Sequence, residues 1–142
     1  MKQVVVDASV ALKWFLDDEE LGTKALNILT QYVSGDLKIL APSLLEYEVM
    51  NGLKIAQKRG RIDIKSLQLG IKGFFNLEIT FFNASHFSEK ALDIMNSIDI
   101  TSYDASYLAL SENRKTPFVT ADKVLYNKAD KKMKYITWLG EY

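Results

Sequence analysis

Short apolar runs alternate with longer stretches of helical periodicity, and this alternation constrains the fold more than any other feature. The first run is three consecutive valines, residues 4–6, which stop at Asp7. Continuous β-branched runs are typical of strands that are buried on both faces, as in a parallel sheet. Comparable runs predict strands over residues 4–6, 37–40, 77–82, 118–120 and 135–139.

Segments with apolar residues at helical spacing lie between the predicted strands. They predict helices near residues 11–15, 25–33, 43–58, 62–75, 87–98, 104–113 and 123–128. Strands that alternate with helices favour a mostly parallel sheet covered on both faces. We therefore predict a three-layer α/β/α sandwich around a mostly parallel five-stranded sheet. With 142 residues, the chain is expected to form a single domain over residues 1–142.

The residue types and motifs that the chain lacks exclude several kinds of active site. The chain has no cysteine and a single histidine, His86, which excludes disulfides, thiol nucleophiles, iron–sulfur clusters and histidine-rich zinc sites. His86 is expected to have a surface or helix-capping role. No glycine-rich phosphate loop follows the first strand, so dinucleotide cofactors and P-loop hydrolysis are disfavoured. Eighteen basic residues balance eighteen acidic ones, which disfavours binding of nucleic acid by bulk positive charge alone.

Neither a membrane span nor a targeting segment is predicted. No apolar run approaches the roughly 18 residues that a transmembrane helix needs. The apolar stretch after Met1 is too short for a signal peptide. We expect a cytoplasmic protein without membrane contact.

Acidic and hydroxyl residues follow the predicted strands. Asp7 follows the first strand, Thr120 and Asp122 follow the fourth, and Asp104 opens the helix that leads into the fourth. Ligands of open α/β sheets bind beyond the carboxyl ends of the strands, so these side chains are expected at one edge. Each acid also has an ordinary structural explanation. Asp7 and Asp122 can cap the helices that follow them, and Asp104 can interact with a helix dipole.

The third predicted helix carries two more acids, Glu46 and Glu48. Ser43 and Glu46 match the S-x-x-E capping box, which predicts that Glu46 folds back onto the first helical turn. Glu48 lies on the border of the apolar stripe, where a carboxylate can reach into a cleft, and Asn51 lies about one turn further along. Glu48 is therefore the favoured site residue.

Carboxylates that are brought together in a cleft repel one another, and burial raises their pKa values. A cation can compensate for this repulsion, and Mg²⁺ or Mn²⁺ prefer oxygen ligands. One or two such ions can activate a water and stabilise the charge of an attacked phosphate. The acids therefore predict a metal site suited to phosphodiester hydrolysis.

Four short segments together resemble the PIN-domain family, and more narrowly its VapC-type toxins from toxin–antitoxin pairs. Residues 4–9 resemble the family's opening strand and first acid, and residues 48–51 resemble its E-V-x-N segment. Residues 103–110 resemble the Y-D-A-x-Y-L-A-L stretch, and residues 120–122 resemble its closing T-x-D. Ser111 departs mildly from the pattern, since many relatives carry alanine there, and a small cost is expected.

The resemblance implies a Rossmann-like fold and a Mg²⁺- or Mn²⁺-dependent endoribonuclease that acts on RNA. It also implies a cognate antitoxin that blocks the site, and a homodimer. The acidic set that it implies for metal binding and catalysis is Asp7, Glu48, Asp104 and Asp122. The supporting residues that it implies are Ser9 and Thr120, as hydrogen-bond partners of carboxylates or water, and Asn51, as a partner of Glu48.

Two lysines near the predicted edge are candidates for substrate binding. Lys13 and Lys123 lie a few residues beyond Asp7 and Asp122. The basic cluster at the end of the third helix, residues 54–61, is instead expected to be a solvated helix end. The lysine-rich segment over residues 123–134 is likewise expected to be a solvated surface.

Two other function classes stay open from the residues alone. One is a non-catalytic protein-interaction module on the same fold, in which the acids act only as caps. The other is a receiver-like phosphoacceptor domain, which has a similar length and sheet. Such a domain needs an acceptor aspartate after the third strand, where this chain has Asn83.

Overall fold

The computed structural model describes all 142 residues and contains a single five-stranded parallel sheet. Its strands are β1 Lys2–Val6, β2 Leu37–Pro42, β3 Thr80–Phe82, β4 Phe118–Thr120 and β5 Ile136–Trp138. The strands are short and their central residues are buried; Val4, Val5 and Val6 have no exposed surface. The predicted parallel sheet is confirmed.

The strand order is β3-β2-β1-β4-β5, so the chain moves outward from β1 in one direction and then in the other. The topological switch point therefore lies between β1 and β4, where the two directions diverge. Receiver domains have the order 2-1-3-4-5. The observed order differs from it, and this removes the receiver-like alternative. Ligand sites of open α/β sheets form at such a switch point, beyond the carboxyl ends of the strands.

Seven α-helices accompany the sheet, and six lie close to their predicted positions. They are α1 Ala8–Ala11, α2 Gly22–Val33, α3 Leu44–Lys58, α4 Ile64–Asn76, α5 Ser88–Ser97, α6 Ser102–Arg114 and α7 Lys123–Ala129. The first, predicted near residues 11–15, ends at Ala11 and is continued by a 3-10 helix over Leu12–Trp14. The third strand begins at Thr80 rather than at residue 77, because Leu77 still caps α4 and Glu78 turns the chain with a φ of 53°. None of the helices is both long enough and apolar enough to cross a bilayer.

The predicted capping box at the start of α3 is wrong. Ser43 has helical backbone angles (φ −55°, ψ −24°), whereas a side-chain cap normally needs an extended residue. Its hydroxyl donates instead to the carbonyl of Phe82 at 3.3 Å and to Asn83 Oδ1 at 3.1 Å, which ties α3 to the end of β3. Glu46 is therefore not held by Ser43. Which of Glu46 and Glu48 belongs to the site depends on the contacts that each side chain makes there.

Helix α6 is the most deeply packed helix, since seven consecutive residues, 105–111, are buried. Ser111 ends this buried stretch with a structural role that the sequence did not predict. Its hydroxyl donates to the carbonyl of Thr116 at 2.6 Å, and the N–H of Thr116 donates to the carbonyl of Ser111 at 3.0 Å. These two hydrogen bonds link the end of α6 to the segment that leads into β4. Ser111 therefore stabilises the fold, where the sequence predicts only a small cost.

Replacing Ser111 by alanine is expected to lower the free energy of unfolding by about 1–2 kcal/mol, because a buried hydrogen bond is lost. Ser97→Ala is the matched control, since the Ser97 hydroxyl also bonds a backbone carbonyl but on the exposed surface of α5. It should change stability by less than about 0.5 kcal/mol. Urea unfolding of both variants measures the difference, and equal stabilities would contradict a buried linking role for Ser111.

Candidate metal-binding and catalytic site

Asp7 lies at the carboxyl end of β1, beside the switch point, and is only 6% exposed. Both of its carboxylate oxygens accept hydrogen bonds from hydroxyls. Ser9 Oγ donates to Oδ1 at 2.5 Å and Thr120 Oγ1 donates to Oδ2 at 2.6 Å. Oδ1 also caps α1, accepting from the N–H of Val10 at 3.4 Å. Asp7 is thus both a helix cap and a carboxylate held in one orientation.

The two hydroxyls that hold Asp7 are themselves oriented by the connection between β4 and α7. Ser9 Oγ accepts from the N–H of Ala121 at 2.8 Å, and Thr120 Oγ1 accepts from the N–H of Asp122 at 3.0 Å. Because backbone N–H groups can only donate, each hydroxyl is left to direct its own proton at Asp7. The structure therefore places Ser9 and Thr120 directly against the first acid.

Asp122 and Asp104 lie at the starts of α7 and α6. Asp122 caps α7 through Oδ1, which accepts from the N–H of Leu125 at 3.1 Å, and this leaves Oδ2 without a hydrogen bond. Asp104 has no capping role, because the side chain of Thr101 accepts from the N–H of Asp104 at 3.1 Å and caps α6. The Asp104 carboxylate, half-buried and without a hydrogen bond, is free to bind a ligand.

Glu48 reaches the site from α3 and is held by Tyr107. The Tyr107 hydroxyl donates a short hydrogen bond to Glu48 Oε1. Tyr107 is buried, and its ring stacks on Phe118 of β4 with centroids 5.6 Å apart. Burial and the charge of Glu48 raise the pKa of the Tyr107 hydroxyl, which keeps it protonated as a donor. Its spacing is a sequence signal for this role, because Tyr107 lies three residues after Asp104 and so on the same side of α6.

The site carboxylates raise one another's pKa values in addition to the effect of burial. Burial raises the pKa of Asp7 to about 6, and the charge of Asp122 adds to this shift against the hydrogen bonds from Ser9 and Thr120. Burial and the charge of Asp122 also raise the pKa of Asp104. The pKa of Glu48 is raised by burial first and then by Asp104. The four acids are therefore electrostatically linked, and their negative charge is unfavourable without protons or a cation.

The donor chemistry of the site fits a hard divalent cation. No three of the acids are close enough in the structure to hold one ion together. Mg²⁺ does not require this, because it keeps several waters and usually binds directly to one or two carboxylates. The side chains of all four acids offer oxygen ligands, and Asp104 and Asp122 both have carboxylate oxygens without hydrogen bonds. The residues therefore suit Mg²⁺ or Mn²⁺ bound partly through water.

The raised pKa of Asp7 gives a prediction for the metal-free chain. The folded chain binds this proton more tightly than the unfolded chain, because the pKa rises from 3.8 to about 6. The stabilisation that comes from protonating Asp7 is complete below pH about 4, and it is lost as the pH rises through about 6. At 1.36 kcal/mol for each tenfold change in proton affinity, the loss approaches about 3 kcal/mol.

Asp7→Asn removes this titration, so its free energy of unfolding should depend less on pH. Urea unfolding between pH 4 and 7 in the presence of a chelator compares the two chains. The wild type should lose stability relative to Asp7→Asn as the pH rises. The same pH dependence in both chains would contradict a raised pKa at Asp7.

The segment that carries all four acids matches one protein family. Residues 4–131 match the sequence model of the PIN domain, from β1 through the end of α7. The chain belongs to the PIN-domain family. In this PIN domain the matched residues include the switch point, the four acids and their hydroxyl partners, so the resemblance seen in the four short segments is confirmed.

Known relatives of this PIN domain include ribonucleases of the VapC type. It is 28% identical over 119 residues to VapC ribonuclease Mb0985 of Mycobacterium bovis. The aligned region covers 84% of this chain and 85% of that protein. Ribonuclease VapC9 of Mycobacterium tuberculosis matches with the same identity and coverage.

Solved structures of similar fold support the architecture. PAE2754 from Pyrobaculum aerophilum superposes with a TM-score of 0.65 at 21% identity, covering 98% of this chain and 85% of that chain. A toxin–antitoxin complex from Klebsiella pneumoniae gives a TM-score of 0.61 at 14% identity, covering 98% and 99%. VapC20 of Mycobacterium tuberculosis, a sarcin–ricin loop cleaving toxin, also gives 0.61, at 9% identity, covering 93% of this chain and 97% of that chain.

The remaining predicted residues of this PIN domain are Asn51, Lys13 and Lys123. Asn51 is exposed and forms no hydrogen bond with Glu48; Tyr107 of α6 occupies that role instead. Lys13 is mostly buried, and its ammonium lies 3.7 Å from Glu19, so it is partly neutralised. Lys123 is exposed at the start of α7 and has no ion-pair partner. Of the two lysines, only Lys123 presents a free charge.

Proposed function

We propose that this PIN domain is a Mg²⁺- or Mn²⁺-dependent endoribonuclease that hydrolyses RNA phosphodiester bonds. The observation that carries the proposal is the buried Asp7 at the switch point, electrostatically linked to Asp122, Asp104 and Glu48. Its relatives named VapC ribonuclease support the same activity. The proposed metal-binding and catalytic set is therefore Asp7, Glu48, Asp104 and Asp122.

Each acid has a distinct part in the proposed mechanism. Two hydroxyls hold the Asp7 carboxylate in one orientation, so its negative charge has a fixed position in the site. Asp104 and the free oxygen of Asp122 would hold the ion or its waters. The chemistry that a divalent cation would supply when bound is activation of a water and stabilisation of charge on the phosphate. Glu48 keeps Oε2 for the ion or for a proton of the attacking water, while Tyr107 holds Oε1 in place.

The proposal includes a protein partner. A chain of similar fold occurs in a toxin–antitoxin complex, and relatives carry the VapC name. We therefore assign this chain to the toxin side of such a pair, with a cognate antitoxin that covers the carboxylates. Co-expression with the protein encoded by the neighbouring reading frame should suppress cleavage, whereas undiminished cleavage by a stable complex would contradict this part. The homodimer stays a prediction.

The enzymatic part is tested with purified chain and a labelled single-stranded RNA. Cleavage is expected with Mg²⁺ or Mn²⁺, loss of cleavage in excess chelator, and recovery when the metal is added back. Internal cuts, rather than stepwise shortening from an end, are expected for an endonuclease. Cleavage at an undiminished rate in chelator would overturn the metal dependence.

A further inference from the structure

Gly52 lies in the middle of α3, on the side of the helix that packs against Leu12. A Cβ placed on this glycine would lie 2.5 Å from Cδ1 of Leu12, 2.9 Å from its Cδ2 and 3.2 Å from its Cγ. Carbon atoms that are not bonded to each other pack best at about 3.5–4.0 Å. The backbone of α3 therefore approaches Leu12 so closely that there is no room for a side chain at residue 52.

A small rearrangement of Leu12 would not make this room. Rotation about its Cβ–Cγ bond moves the two methyl groups but leaves Cγ in place, 3.2 Å from the added atom. A larger swing is opposed because Leu12 is half-buried and packs against the hydrophobic core. Among the glycines inside α-helices, only at Gly52 would an added Cβ come within 3.0 Å of another side chain. The close approach is thus a particular feature of this contact.

The two sides of the contact lead directly to two of the site acids. Leu12 begins the 3-10 helix that continues α1, and Asp7 caps α1. Gly52 follows Glu48 by four residues, and residues at this spacing lie one above the other on the same face of a helix. Both α1 and the 3-10 helix pack on α3. The contact of Leu12 with Gly52 therefore bears on the distance between Asp7 and Glu48.

Both acids are held by other side chains, so neither can follow a movement of the other. Hydroxyls of Ser9 and Thr120 donate to the two oxygens of Asp7. The hydroxyl of Tyr107, on α6, donates to Oε1 of Glu48. If α3 moved away from the 3-10 helix, Glu48 would be carried away from Asp7 or would lose its contact with Tyr107.

We propose that Gly52 is a positioning residue, whose lack of a side chain lets α3 pack against Leu12 and so sets the separation of Glu48 from Asp7 that catalysis needs. This inference rests on the proposed ribonuclease function and adds a residue that acts only through Glu48. Gly52→Ala would push the two helices apart by about 1 Å, from 2.5 Å to an ordinary contact distance. Misplacement of a reacting group by about 1 Å can slow a reaction about a hundredfold.

The test is a double-mutant cycle of Gly52→Ala and Leu12→Ala in the full chain. Leu12→Ala removes Cγ, Cδ1 and Cδ2, which are the three atoms that the added Cβ would meet. Gly73→Ala is the matched control, because Gly73 lies inside α4 and a Cβ there would make an ordinary contact with Phe15 at 3.5 Å. Initial rates with saturating Mg²⁺ give kcat and KM for RNA, and urea unfolding shows whether each variant is folded.

Gly52→Ala is expected to lower kcat about ten- to a hundredfold, because a carboxylate of the site is displaced. Its KM for RNA should stay within about twofold of the wild type, which a general loss of structure would not allow. In the Leu12→Ala background the same substitution should change kcat by less than about twofold, since no atom is left to push α3 away. Gly73→Ala should keep kcat within about twofold of the wild type.

A wild-type kcat in folded Gly52→Ala would overturn the proposal, and so would an equal loss in the wild-type and Leu12→Ala backgrounds. A comparable loss in Gly73→Ala would overturn it as well, since alanine within any helix would then have the same effect. If Gly52→Ala does not fold, Leu12→Phe presses on α3 from the other side and should lower kcat without a change in KM. A wild-type kcat in folded Leu12→Phe would then overturn the proposal.

A crystal structure of Gly52→Ala separates this proposal from the proposed function. The Cα atoms of Asp7 and Glu48 should lie about 1 Å further apart than in the wild type. An unchanged separation would overturn the positioning role, whatever the activity of the protein. A wild type that does not cleave RNA would overturn the proposed function, and the comparison of the two crystal structures would still show whether Gly52 sets this separation.

Discussion

Asp7→Asn is expected to lower metal-dependent RNA cleavage by at least about a thousandfold, which corresponds to the several kilocalories per mole that a metal site contributes to such reactions. The substitution removes the charge of a carboxylate whose two oxygens are already fixed by Ser9 and Thr120. Asparagine is nearly the same size and is an equally good helix cap, so α1 should still begin at Ala8. Initial cleavage rates with saturating Mg²⁺ measure the loss.

Asp63→Asn is the matched control for this substitution. Asp63 also caps a helix, accepting from the N–H of Ser66 at 2.7 Å, but it is exposed at the start of α4. Its replacement should leave the cleavage rate within about twofold of the wild type. Metal-free Asp7→Asn is expected to be more stable than the wild type at neutral pH. A stable but inactive variant would show that cleavage is lost with the charge and not with the fold. Wild-type rates in Asp7→Asn would remove Asp7 from the catalytic set.

The second large effect is expected for Glu48→Gln, which should lower cleavage by about a hundredfold or more. Glutamine keeps an oxygen that can accept the hydrogen bond from Tyr107, so the contact between α3 and α6 is preserved. What it loses is the charge that is electrostatically linked to Asp104. The measurement is the same cleavage assay, with Mn²⁺ affinity determined in parallel.

Glu46→Gln separates the two acids of α3. Glu46 lies on the same helix two residues earlier and makes no hydrogen bond with Tyr107. Its replacement should have little effect on cleavage. If Glu46→Gln abolished activity while Glu48→Gln retained it, the assignment of the α3 ligand would be reversed.

The architecture could be predicted because the signals for it are local. Three consecutive β-branched residues predict the buried strand β1, and the structure shows them fully buried. The edge position of two acids could be predicted for the same reason. Asp7 and Asp122 lie within two residues of the ends of β1 and β4, and parallel strands bring their carboxyl ends to one edge.

The contacts between distant elements could not be predicted in the same way. Tyr107 meets Glu48 from 59 residues away in sequence. The spacing of Tyr107 from Asp104 indicates its side of α6, but it does not identify Glu48 as the partner. Ser43 matches a capping box, but a tertiary contact with Phe82 and Asn83 outweighs that local preference.

Ser111 illustrates the same limit in the hydrophobic core. In sequence it is a polar residue on a helix, where a small cost is expected. In the structure it bonds Thr116 across the turn into β4, so its hydroxyl stabilises the connection that leads towards Thr120 and Asp122. A polar side chain that looks neutral in sequence can thus support the geometry of the site.

The proposed catalysis needs a divalent cation held where β1 and β4 diverge, and a crystal soaked in Mn²⁺ shows whether one binds there. The anomalous signal locates manganese independently of any assay of activity. We expect a peak bordered by Asp7, Asp104 and Asp122, with at least one carboxylate oxygen about 2.0–2.2 Å from the ion. Well-diffracting crystals in millimolar Mn²⁺ that show no peak there, or a peak only elsewhere on the surface, would contradict a metal site at this edge of the sheet.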